Sequence, residues 1–76
     1  MKEFIELIVK TLVDNPESVR VSEIRGEGTI VYELHVRKGE LGKVIGKRGQ
    51  TAWAIRTLLT AVSRKQGKRA ILEILE

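Results

Sequence analysis

Hydrophobic and polar residues recur with two different periods along the chain, and each change of period marks an element. Across residues 3–13, Phe4, Ile5, Ile8 and Leu12 fall on one helical face while Glu3, Glu6 and Lys10 fall elsewhere. Asp14-Asn15-Pro16 ends that helix, because the residue before a proline avoids helical angles. Residues 19–25, VRVSEIR, read as a strand in which Ile24 is out of step and marks a bulge. After the turn Gly26-Glu27-Gly28, residues 29–37 alternate more cleanly, with Ile30, Tyr32, Leu34 and Val36 on one side. Two strands around a short glycine turn predict a β-hairpin.

Beyond Lys38-Gly39 the period returns to helical: a short turn, ELGKVI, then a glycine-bracketed loop, then a helix from about Gln50 to Gln66. Gly67 fits a C-terminal cap, and Arg64 and Lys65 suit the negative end of the helix dipole. Residues 70–75, AILEIL, complete the set as a strand. The order α-β-β-α-α-β predicts an α+β fold, a three-stranded sheet covered on one face by three helices. With no repeat or linker, residues 1–76 read as a single domain.

Charge sharpens this picture. Residues 1–36 carry four Lys/Arg against seven Asp/Glu, whereas residues 37–69 carry ten against one, Glu40. A block that basic inside an otherwise acidic chain points to a polyanionic partner, nucleic acid before a merely solvated face. The absence of cysteine excludes disulfides and thiolate metal sites, and a reducing cytoplasm is the expected setting. Glu6 and Lys10 interrupt the first apolar run, which therefore reads as neither signal peptide nor membrane span.

The most distinctive stretch is GKVIGKRG, residues 42–49. A nucleotide P-loop needs four residues between its first two glycines and a hydroxyl after its lysine. Here three residues separate Gly42 from Gly46, and Arg48 follows Lys47. The dinucleotide fingerprint opens the first helix after a strand as Gly-x-Gly-x-x-Gly, which this segment does not match. A plain turn between helices would account for the glycines but gains nothing from two adjacent cations at its tip. A Gly-x-x-Gly loop between two helices does more. It lets a sugar-phosphate backbone approach, offers free N–H groups to phosphate oxygens, and adds the charges of Lys47 and Arg48.

VIGKRG between a short and a longer helix resembles the signature of the KH RNA-binding domain. The element order matches the type II form of that domain, whose sheet is mixed. ELGKVIGKRGQTAWAIRTLL is similar to the small stand-alone bacterial KH proteins of the KhpA type. The resemblance implies cytoplasmic binding of single-stranded RNA, as a post-transcriptional regulator or RNA chaperone. It also implies self-association or pairing with a larger KH-containing protein. Gly46, Lys47, Arg48 and Gly49 would clamp the backbone, assisted by Gln50 and by Lys43 one turn earlier. Val44, Ile45 and Val36 would line an aliphatic groove that discriminates sequence weakly. The chain departs from the family pattern at Ala52, where many KH domains carry a large aliphatic residue.

At about 100° per residue, Ala52, Ile55, Leu58, Leu59 and Val62 share one face of the long helix, predicted to pack on the sheet. Trp53 lies nearly opposite, beside Thr57, Thr60 and Arg64. An outward Trp serves either as a platform for an unstacked base or as an anchor of a protein interface. Those two uses separate an RNA-binding domain from a protein-interaction module. Of the other cations in the block (Arg37, Lys38, Arg56, Lys68 and Arg69), some are expected to meet phosphates. His35 stands alone, without a second ligand or a nucleophile. No paired carboxylates or metal-ligand spacing accompany the basic block, so no enzyme, metal or cofactor is expected.

Overall fold

A computed structural model describes residues 1–76 throughout. Helix α1 (Lys2–Leu12) leads through a 3-10 turn at Pro16–Ser18 into strands β1 (Arg20–Arg25) and β2 (Thr29–His35). The short helix α2 (Leu41–Ile45), a second 3-10 turn at Lys47–Gly49 and the long helix α3 (Gln50–Lys65) follow, and β3 (Arg69–Leu75) closes the chain. Strand order is β1-β2-β3, with β1 antiparallel and β3 parallel to the central β2. The hairpin needs only its glycine turn. The parallel pair needs a crossover, and α2 and α3 supply it, so all the helices lie on one face.

Register sets what that face buries. Val21 stands opposite Leu34, Tyr32 opposite Leu72, and Leu34 opposite Ile74, all toward the helices. Ile5 and Val9 of α1, Val44 of α2, and Ile55 and Leu59 of α3 complete the cluster. The α1 stripe is centred on Ile5 and Val9, with Ile8 packed against it, while Phe4 and Leu12 are exposed on a flank. That corrects the expected face: α1 has more apolar positions than one packing stripe can use.

The same holds for α3. It buries Ala52, Ile55, Leu59 and Ser63, and leaves Leu58 and Val62 exposed. Ile55 and Leu59 make the contact, so the buried arc runs along Ala52 and Ser63 rather than spreading sideways. Ser63 is buried because the chain folds back over it: its carbonyl accepts from Lys68 N–H at 2.9 Å, and Arg64 C=O accepts from Gly67 N–H at 3.0 Å. With Gly67 at φ 71°, this is a Schellman closure, as the capping glycine predicted.

Two strand expectations change. Pairing runs unbroken from Arg20 opposite His35 to Arg25 opposite Ile30, so Ile24 marks no bulge. It alternates correctly onto the open face of the sheet, in a row with Val31 and Ile71. Strand β2 ends at His35, although Val36 still donates to Leu75 C=O at 3.0 Å and turns its side chain into the core.

Candidate nucleic-acid interface

The loop between α2 and α3 is shaped by three departures from ordinary backbone within residues 46–49. Gly46 closes α2 by donating to Gly42 C=O, then adopts φ 79°, ψ 173°, a region open essentially to glycine alone. Arg48, at φ 57°, is the one non-glycine residue in the left-handed region. Gly49 follows at φ 72° and starts α3. Internally, Gly49 N–H donates to Gly46 C=O and Gln50 N–H to Lys47 C=O. None of these bonds uses the N–H of Lys47 or Arg48.

The two bracketing glycines have different tasks. A side chain at Gly46 would collide with Thr51, its Cβ lying 2.8 Å from the Thr51 Cβ and closer still to the hydroxyl. Gly46 therefore allows the end of α2 to pack on the first turn of α3. Beside the expectation that both glycines admit a ligand, Gly46 carries this separate packing requirement. A side chain at Gly49 would meet nothing within 4 Å, so that corner is open. Lys47, Arg48 and Gln50 are exposed, and none of the three takes part in an ion pair.

Lys43 is placed differently from expectation. It reaches back to the carboxylate of Asp14, which holds its ammonium above the ordinary lysine pKa through their hydrogen bond. Behind this pair sits Glu40, buried to 5% exposure. Its Oε1 accepts from the N–H of Asp14 at 3.2 Å, the N–H of Asn15 at 3.0 Å and the Asn15 side-chain amide at 2.6 Å. Asn15 Oδ1 in turn accepts from Arg37 at 2.9 Å. The connection after α1 is thus tied to the start of α2. Sequence reasoning missed this clasp, although Glu40 was conspicuous as the lone acid of the basic block.

The expected groove also shifts. Val44 and Val36 are buried to 0% and 5% exposure and belong to the core, and only Ile45 is half-exposed. A cleft opens instead between the flank of α3 and the edge strand β3, lined by Arg56, Thr60, Ala70 and Ile71 among others. The unpaired edge of β3 runs alongside, with backbone donors and acceptors that the sheet does not use. Trp53 is 68% exposed on the same flank, next to Arg56, Thr57 and Arg64, and Thr57 Oγ1 donates to its carbonyl at 2.8 Å. Ala52 is buried beneath this turn.

The profile of the KhpA/KhpB KH domain matches residues 2–74. The chain belongs to the KhpA/KhpB family of KH domains. It is 60% identical over 76 residues to the RNA-binding protein KhpA of Aquifex aeolicus, covering 100% of this chain and 96% of that protein. Identity to the Chlamydia trachomatis KhpA is 54% over 76 residues, covering 100% and 97%. To the Clostridium perfringens KhpA it is 49% over 75 residues, covering 99% and 100%. No solved structure gives a significant match. The type II order of this KH domain agrees with the expectation from sequence, and the family is not one of enzymes. No helix is long and apolar enough to cross a membrane.

Proposed function

We propose that this KH domain, acting as a single domain over residues 1–76 in the cytoplasm, binds single-stranded RNA through the Gly46-Lys47-Arg48-Gly49 loop. The observation that carries the reading is the exposed pair Lys47 and Arg48, free of ion pairs and beside the open corner at Gly49. Phosphate oxygens would accept from the loop N–H groups while the two cations supply attraction, a clamp on about four nucleotides of backbone. Gln50 would add a polar contact at the head of α3. The bases would then turn toward Ile45 and the cleft beside β3, where free edge groups of that strand meet base edges. Few side chains would read sequence there, which suits an RNA chaperone or broad post-transcriptional regulator. The names of the relatives, RNA-binding proteins throughout, agree with this reading.

Charge reversal tests it. Lys47→Asp with Arg48→Asp should lower RNA affinity at least a hundredfold in filter binding while the protein stays folded; undiminished affinity would sink the assignment.

A second reading rests on Trp53. An aromatic side chain exposed to 68% beside Thr57 and Thr60 fits the centre of a protein interface, either between two copies or with a larger KH-containing partner. Trp53→Ala should abolish pairing in gel filtration under that reading, or cost about 1–3 kcal/mol of RNA binding if the ring stacks on a base. No change in either measurement would remove Trp53 from function.

A further inference from the structure

At the opposite end of α3 from the glycine loop lies a concave surface that the RNA clamp does not use. It is formed where the Schellman closure of α3 meets the hairpin turn and the start of β3, and it is lined by Thr60, Arg64, Lys68, Arg69, Gly28 and Gly67. Its volume is about 640 Å³. Arg64 is fourteen residues into α3 from Gln50, so at about 1.5 Å per residue the cleft is roughly 20 Å from the loop.

Its chemistry is one-sided. Three cations line it and no acid does, and Ala70 is its one apolar residue. Arg64, Lys68 and Arg69 make no ion pair, and the exposed acids on the neighbouring elements, Glu27 beside Gly28 and Glu73 on β3, do not line the cleft. Arg64 sits in the last turn of α3 and favours the helix dipole there, but Lys68 and Arg69 lie beyond the closure, where that effect has faded. A side chain at Gly28 or Gly67 would meet nothing within 4 Å, so both walls are bare backbone. A peptide partner would need apolar anchors that the cleft lacks. A sugar-phosphate backbone needs only cations and access.

The cleft is also continuous with the site already described. Thr60 and Arg64 border the surface next to Trp53, and Arg69 and Ala70 border the cleft along β3. We infer that this surface is a second backbone contact, holding the part of an RNA strand that runs past the nucleotides clamped at Lys47 and Arg48. The inference rests on the proposed RNA reading and extends it from a short clamp to a tract along the whole of α3.

The test compares oligouridines of about five and about twelve nucleotides by fluorescence anisotropy, lengths that span the site sizes of single-strand binders. Wild type should bind the longer strand more tightly. Arg64→Glu, Lys68→Glu and Arg69→Glu together should lower affinity for the longer strand about tenfold and flatten its salt dependence by about two log units per log unit of salt, leaving the shorter one unchanged. Lys68→Glu with Arg69→Glu, which spares α3, should give a smaller loss of the same kind. Equal loss at both lengths, or none at either, would overturn the second contact. So would loss of an acidic protein partner with RNA binding intact at both lengths. If wild type bound neither strand, the RNA reading itself would fail; if it bound both equally, only the extension would.

Discussion

The two ends of α3 carry similar residues under opposite physical conditions. Each end has a glycine at positive φ and a pair of neighbouring cations: Gly49 after Lys47 and Arg48, and Gly67 after Arg64 and Lys65. At the C-terminus those cations face the negative pole of the helix, and they stabilise the fold with nothing bound. At the N-terminus Lys47 and Arg48 face the positive pole, where cations are disfavoured by a few tenths to about 1 kcal/mol each. Arg48 is in addition held in the left-handed region, at a cost of about 1–2 kcal/mol. In the unbound protein the C-terminal pair therefore stabilises the fold, while the N-terminal pair carries a cost that the proposed phosphate contact would offset. Unfavourable placement, more than charge alone, sets the loop apart in the unbound protein and supports the proposed phosphate contact there.

The largest effect that would sharpen the contrast lies in the glycines. Gly46→Ala should destabilise by about 3 kcal/mol or more in urea unfolding, because it combines a glycine-only backbone with the Thr51 collision. Gly49→Ala and Gly67→Ala, both left-handed but unobstructed, should cost only about 1 kcal/mol each. Equal losses at Gly46 and Gly49 would break the division of labour between them. Next comes Arg48→Gly, which should raise stability by about 1 kcal/mol and weaken RNA binding, a trade expected where strain serves function. The charge-reversed loop, Lys47→Asp with Arg48→Asp, should raise stability in urea unfolding, whereas Arg64→Asp with Lys65→Asp should lower it, each by about 0.5–1 kcal/mol. Shifts of the same sign would refute the dipole argument. The smallest effect concerns Lys43: Asp14→Asn frees its ammonium, and RNA affinity should rise about two- to threefold at low salt, fading as salt increases.

Local pattern and tertiary packing divide the remaining features between them. Element order, the hairpin, the capping role of Gly67 and the loop at Gly46–Gly49 follow from short-range chemistry: period, turn residues and the spacing of glycines and charges. The occupants of the core do not. Phe4, Leu12, Leu58 and Val62 are as hydrophobic as Val9 and Ala52, yet Val9 and Ala52 are buried and the other four are not. Periodicity gives a direction around the helix axis, and only the neighbour's position gives the centre of the stripe.

The candidate surface shows the same split. Lys47, Arg48 and the outward Trp53 were legible because a loop tip and a helix face are set by a few consecutive residues. The clasp of Glu40 on Asp14 and Asn15 joins positions about 25 apart in the chain, and the clefts beside β3 join a helix end to a strand and a hairpin turn. No local window contains such pairs. Sequence alone determined that this chain would present two cations on a glycine-bracketed turn between helices. Tertiary structure decided which glycine is needed for packing, which lysine is already paired, and where a strand could run once past the loop, because those outcomes depend on residues brought together only by the closing of the sheet.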